Sequence, residues 1–436
     1  MSDAYAIPAH LPSRLTISFW LWGYFLGAGE GDVFHDLEAR FVELKERGFN
    51  TVRIDAGGGL CHAADGRPRG PVALREPFPG HSQLIRQMNF KGGRCDVLKR
   101  LIELFELAKR YEVQVILSSW FYLHTFWVVD DALKAELFAV PPEARLRYFA
   151  EALDRLLVLL KDRGLHQQIA FVEILNEADG LPFMTEAIKA GGPDAVPART
   201  HAFRTLHEEA LAFLRARHPD ILMALDTYTA DTNLELMPRN MQVWNHHVYY
   251  LWSVYFKTLD VGMFDDHAPF PGPEQAAILR PFLRHPPISP DAIKASRNHD
   301  PDVLENWYRR IWLYRNLDPA ALPALERWLS ETMDADVDDH RRQAETAIAR
   351  AVAIRDAHFP GIPLVMAEAA SYCAGTVLRW EERSDTYWAL VAHAVGLMKQ
   401  HGYWGCTPRT NSGPEDPVWT EFPDRLRTIN RLFLAP

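Results

Sequence analysis

Apolar and polar positions along the chain fall into two alternating rhythms. Short runs rich in β-branched and aromatic residues give way to longer stretches whose apolar residues recur at helical spacing. The short runs predict strands at "LTISFW" (15–20), "NTVRID" (50–55), "VQVILSS" (113–119) and "IAFVEIL" (169–175). Four more follow at "ILMALD" (221–226), "MQVWNHH" (241–247), "IPLVMA" (362–367) and "GYWGC" (402–406). Between them lie helical patterns such as "DLEARFVELKERG", "DVLKRLIELFELAKRY" and "LRYFAEALDRLLVLLKDRG", the last with Gly164 at its C-terminal cap. Eight strands, each separated by helix, predict an α/β fold, the (β/α)8 TIM barrel. A doubly wound sheet is the alternative, but no GxGxxG or GxxxxGK[ST] follows any of the strands.

The rhythm breaks between residues 250 and 337, where Pro, Asp and Trp are frequent but apolar content stays high. This stretch reads as an insertion after strand six within a single catalytic domain (1–436), and not as a linker.

Composition narrows the partners. With 48% hydrophobic and 24% charged residues, the chain has material for a large core. A net charge of -10 and the lack of a Lys/Arg tract argue against nucleic acid and anionic membranes. No apolar run reaches the roughly 18 residues of a membrane span. The N-terminus, "MSDAYAIPAHLPSRL", shows no basic segment followed by an apolar one, so a cytoplasmic protein is expected. The four cysteines (Cys61, Cys95, Cys373 and Cys406) lack CxxC spacing and read as free thiols. No His, Cys or Asp cluster has metal-ligand spacing, so neither a metal nor a cofactor is expected.

In such a barrel the active site collects at the C-terminal ends of the strands. Strand two ends in Arg53 and Asp55, strand three runs into Ser118, Ser119 and Trp120, and strand four ends in Asn176 and Glu177. Strand five ends in Asp226, strand six in His246, His247 and then Tyr249, and strand seven in Glu368; strand eight carries Trp404. Glycoside hydrolysis needs one carboxylic acid to protonate the leaving oxygen and one carboxylate across the anomeric carbon. Glu177 and Glu368, on strands four and seven, face each other across the predicted mouth. Asn176 would then bind the sugar 2-hydroxyl. The two histidines alternate faces, and His247 is assigned to the pocket. Asp226 reads as a loop cap. Arg53 has two readings, a structural partner of Glu173 inside the barrel or a member of the site. Trp404 is taken as a sugar platform and Trp244 as core.

These segments carry a family resemblance. "VEILNEADG" resembles the strand-four Asn-Glu signature of the clan A glycoside hydrolases, family 5 above all, and "IPLVMAEAAS" resembles their strand-seven nucleophile segment. "NTVRID" is similar to their strand-two arginine segment, His247-Val248-Tyr249 to their His-x-Tyr, and Trp404 to their strand-eight tryptophan. The resemblance implies a retaining double displacement with Glu368 as nucleophile and Glu177 as acid/base. It also implies that Arg53 and Tyr249 keep Glu368 ionised and oriented. The chain departs from the pattern in two places: Ala178 replaces the usual Pro, and Trp120 stands where a His is usual. A tryptophan there resembles the mannan-acting members. The expected activity is an exo-acting β-mannosidase on small β-linked manno-oligosaccharides or mannosides. β-Glucosidase, endo-β-1,4-glucanase or mannanase, and transglycosylase are alternatives, with a non-catalytic sugar-binding barrel as the rival of another class. The expected partner is an oligosaccharide or glycoside. The insertion would either wall one end of the cleft, with Asp265, Asp266 and His267 on the terminal sugar, or join subunits of a homo-oligomer.

Overall fold

Eight parallel strands close on themselves in the order β1 (Leu15–Leu21), β2 (Thr51–Asp55), β5 (Gln114–Ser118), β6 (Ile169–Glu173), β7 (Met223–Thr227), β8 (Val243–His246), β9 (Leu364–Met366) and β10 (Gly405–Cys406), which returns to β1. The computed structural model describes residues 6–86, 89–120, 128–230, 233–251, 272–289, 292, 305–369 and 376–436. The (β/α)8 barrel is therefore the fold. β3 (Pro71–Arg75) and β4 (Gly92–Asp96) form a separate antiparallel pair after β2. Sequence pattern did not announce that pair, because "GGRCD" has no apolar alternation.

Period-two alternation gives each barrel strand two jobs. Val52, Ile54, Val115, Leu117, Val172, Met223, Leu225 and Trp244 belong to the core between barrel and helices. Their neighbours point inward and stack in layers. The lower layer is apolar, with Ile17, Ile116, Phe171, Ala224, Val243 and Val365 in one cluster with Trp404. Two residues further along β5, β6, β7 and β8 the interior turns polar: Ser118, Glu173, Asp226 and Asn245 are all buried, as is Arg53 on β2.

Strand eight is shorter than its pattern suggests, and this corrects the reading of Trp404. The residue lies before β10 and not at its end. Its backbone N–H donates to Leu364, the first residue of β9, and its carbonyl accepts from Leu15, the first residue of β1. The indole Nε1 donates to the Pro12 carbonyl at 2.9 Å, and the ring packs on Phe171 with centroids 5.7 Å apart. Trp404 plugs the floor of the barrel, away from the mouth, and serves as core.

The outer helices begin where side chains accept their first free N–H groups. Asp36 takes Ala39 N at the start of Leu37–Glu46, Asp96 takes Lys99 N at the start of Val97–Arg110, and Ser384 takes Tyr387 N at the start of Asp385–Gln400. Helix Pro142–Asp162 ends just before Gly164, whose φ of 64° suits a left-handed cap. Within the 250–337 stretch, helices Pro273–Leu279, Glu305–Asn316 and Leu322–Ala335 are described. Leu322–Ala335 buries Leu325, Leu329 and Met333 and packs against Asp385–Gln400. Asp265, Asp266 and His267 lie outside the described residues.

Candidate active site

Arg53 organises the mouth. It is fully buried near the end of β2, where only paired carboxylates can make its charge tolerable. Its Nε and Nη2 donate to Glu173 Oε2 at 3.1 and 2.8 Å. Nη2 also donates to Asn176 Oδ1 at 2.8 Å and to Asp226 Oδ2 at 3.0 Å, and Nη1 donates to Glu368 Oε1 at 2.9 Å. The two readings of Arg53 are thus both realised: one planar guanidinium pairs with Glu173 and holds Glu368. Burial alone would ease its proton off, but Glu173, Asp226 and Glu368 raise its pKa above the ordinary value. The Trp120 ring covers the guanidinium at 4.7 Å and stands edge-on to Phe19.

Glu368 follows β9. The Val248 N–H donates to the Glu368 carbonyl, which extends the β8–β9 pairing past the regular strands. This register brings the Tyr249 hydroxyl to Glu368 Oε2 at 2.8 Å. One carboxylate oxygen therefore takes Arg53 and the other takes Tyr249. Burial, and then the Glu368 charge, push the Tyr249 pKa well above its usual value, so the phenol stays a donor.

Glu177 sits where β6 has run out, with φ at 47°, in the left-handed region that non-glycine residues rarely adopt. Two bonds hold it there. Its N–H donates to Asp226 Oδ1, and the Ala178 N–H donates to the Asp226 carbonyl at 3.1 Å. Glu177 Oε1 lies 2.8 Å from His247 Nδ1, and His247 Nε2 lies 3.2 Å from Asp226 Oδ2. Burial pushes the Glu177 carboxyl up to about 7, with Glu368 and Asp226 adding to the rise and His247 opposing it. For His247, burial would favour the neutral ring, yet Asp226 and Glu368 raise its pKa well above the ordinary imidazole value.

The structure brings Arg53, Trp120, Asn176, Glu177, His247, Tyr249 and Glu368 to one end of the barrel and leaves Trp404 at the other. His246 faces outward, to the Tyr403 hydroxyl at 2.8 Å. Asp226 is no loop cap: its side chain takes Glu177 N, Arg53, Asn245 and His247. Asn245, unremarked in the sequence, donates from Nδ2 to Glu173 Oε1 at 2.6 Å and Asp226 Oδ2 at 2.5 Å, and accepts from Ala367 N at 3.0 Å. One signal was available. A polar Asn inside the apolar run "MQVWNHH", two residues before His247, shares its face.

Glu177, His247 and Glu368 each bring one donor atom within 4.8 Å of the others, a spacing a metal ion could use. The donor chemistry fits hydrogen bonding instead. Both ring nitrogens of His247 face carboxylates, and the two oxygens of Glu368 are taken by Arg53 and Tyr249.

Fold and site together define a barrel of the cellulase-like class. The chain belongs to the sugar-binding cellulase-like family, whose model matches residues 17–268. No curated protein matches the sequence. Among solved structures, a protein from Parabacteroides distasonis assigned to the glycoside hydrolases is similar, at 16% identity, with 97% of this chain and 93% of that one covered and a TM-score of 0.59. A family 5 mannosidase from Rhizomucor miehei aligns at 12% identity over 97% of this chain and 94% of that one, with a TM-score of 0.42. A family 5 endo-β-1,4-glucanase from Bacillus licheniformis aligns at 12% identity over 96% and 60%, with a TM-score of 0.44.

Proposed function

We propose that the protein is a retaining β-glycoside hydrolase in which Glu368 attacks the anomeric carbon and Glu177 serves as acid, then base. The observation that carries this reading is the spacing of the carboxylates. One oxygen of Glu177 and one of Glu368 approach within 4.8 Å, a close approach that suits the ~5–5.5 Å between the carboxyl groups of retaining enzymes better than the ~6.5–9.5 Å that leaves room for an inverting water. The geometry and the Glu177 carboxyl suit the roles. Glu368, fixed by Arg53 and Tyr249, is held for attack, and Glu177, with its pKa pushed up to about 7, arrives protonated to release the aglycone. It then removes a proton from the water that resolves the glycosyl-enzyme. Asn176 gives its Oδ1 to Arg53, which leaves the Nδ2 for the sugar 2-hydroxyl.

A β-mannoside is the proposed substrate, on the strength of Trp120 after strand three, with β-glucoside second. Exo action is proposed from the 250–337 insertion, which begins directly after Tyr249 and so leaves the barrel at its mouth. A panel of p-nitrophenyl β-glycosides assayed with pure protein tests sugar and mode together: release from the mannoside is expected. NMR of the first-formed product should show the retained anomer, and an inverted anomer would refute the mechanism. Replacing 263–272 by a short Gly/Ser link should raise activity on longer oligosaccharides relative to the disaccharide. An unchanged chain-length profile would remove the insertion from the specificity argument.

A further inference from the structure

We propose that Asp226 is a positioning residue for acid catalysis, one that clamps the backbone of Glu177 and orients its carboxyl through His247. The inference rests on the reading of Glu177 as acid/base. Its basis is the division of labour between the two oxygens of one buried carboxylate. Oδ1 accepts the Glu177 N–H, and the Asp226 carbonyl takes the next N–H, of Ala178. These bonds hold Glu177 at its positive φ, a conformation that needs outside support. Oδ2 reaches His247 Nε2 at 3.2 Å, and the opposite ring nitrogen lies 2.8 Å from Glu177 Oε1. Main chain and side chain of the proposed acid are thus both referred to Asp226.

Oδ2 is itself fixed. It accepts from Arg53 at 3.0 Å and from Asn245 at 2.5 Å, both fully buried, so Asp226 has little freedom to turn. Four N–H donors converge on the carboxylate. An isosteric amide offers one acceptor oxygen and turns its own N–H groups toward donors, so Asp226→Asn removes this function without changing shape. The nucleophile keeps its hydrogen bonds. Those from Arg53 Nη1 and the Tyr249 hydroxyl to Glu368 do not pass through Asp226, Arg53 keeps Glu173 and Asn176, and His247 Nε2, 3.7 Å from Glu368 Oε1, is beyond hydrogen-bond reach of it. The groups facing Glu177 are Asp226 from β7, His247 and Tyr249 from beyond β8, and Glu368 from beyond β9.

A leaving-group series separates positioning of the acid from general damage. kcat/KM is measured for aryl glycosides running from dinitrophenyl to phenyl. A departing dinitrophenolate needs no proton and a phenolate needs one, so loss of acid catalysis falls on the phenyl end. Asp226→Asn should lose on the order of 10²-fold with phenyl and less than about 10-fold with dinitrophenyl, the range of general acid catalysis. His247→Gln should reproduce that selective loss. The double variant should be little worse than either single one, because residues acting as a unit are not additive. Circular dichroism checks folding, and if Asp226→Asn fails to fold, His247→Gln decides alone. A loss equal across the series, or fully additive losses, would overturn the proposal. A wild-type protein that cleaves no aryl glycoside would instead overturn the reading on which it rests.

Discussion

Two residues separate chemistry from architecture in this barrel. On β6, Phe171 belongs to the apolar floor and Glu173 to the charged mouth; on β7 the pair is Ala224 and Asp226; on β8 it is Val243 and Asn245. The floor needs little but fit, and among the described residues the side chains of its apolar cluster make one hydrogen bond, from Trp404 to Pro12. The mouth buries Arg53, Glu173, Asp226 and Asn245 almost completely, and each is tolerable only because the others are there. A fold that supports both layers on the same strands keeps its stability in one and its reactivity in the other.

The sharpest test of that division is Glu368→Gln. Turnover should fall by at least about 10⁴-fold, the scale of nucleophile removal, while denaturant unfolding stays near wild type. A large loss of stability would mean that the mouth is also structural at Glu368. The converse variant is Trp404→Ala. It should cost about 3–5 kcal/mol by leaving a hole in the floor, with kcat and KM of the folded enzyme unchanged. A raised KM at constant stability would return Trp404 to the substrate. Arg53→Lys lies between the two. It keeps the charge and loses the fork, so that acceptors among Glu173, Asn176, Asp226 and Glu368 go unmet. About 1–3 kcal/mol of stability should disappear in urea melts together with activity, because this side chain both pairs the buried acids and holds Glu368.

The smallest effect is the pH dependence of Glu177. Its carboxyl holds a proton up to about 7 in the folded chain, against an ordinary value of 4.5. Activity on poor leaving groups should therefore fall as pH rises through about 7. Stability should move the same way, because a carboxyl whose pKa is raised by folding contributes below its unfolded pKa and loses that contribution as pH climbs through the folded one. A rate that stayed level to pH 9 on such substrates would detach the acid role from Glu177.

The eight strands were legible because each buries both faces, as near-continuous apolar runs do in a parallel sheet. The placement of Glu177 and Glu368 at the mouth was legible because a charged residue at the end of such a run marks where the strand leaves the core. Trp404 was misread for a local reason. "GYWGC" has an aromatic beginning and a short strand only at Gly405–Cys406, so the residue taken to lie on the strand precedes it. Asp226 and Asn245 escaped for a different reason. Their partners come from β2, β6 and the ends of β8 and β9, and no single segment of sequence contains such a network. Arg53 and Glu173 were read as alternatives to a site pair, whereas one guanidinium has donors enough for both.

The backbone angle at Glu177 has a consequence for descent as well as for turnover. A side chain held at φ 47° stores roughly 1–3 kcal/mol of conformational strain, and glycine would store almost none. The single replacement that erases the proposed acid would therefore also relax the chain. Lineages released from selection for turnover would drift toward Asn-Gly at the end of β6, gaining robustness as they lose their chemistry. Under the proposed mechanism, Glu177 thus stands where the backbone itself prefers glycine.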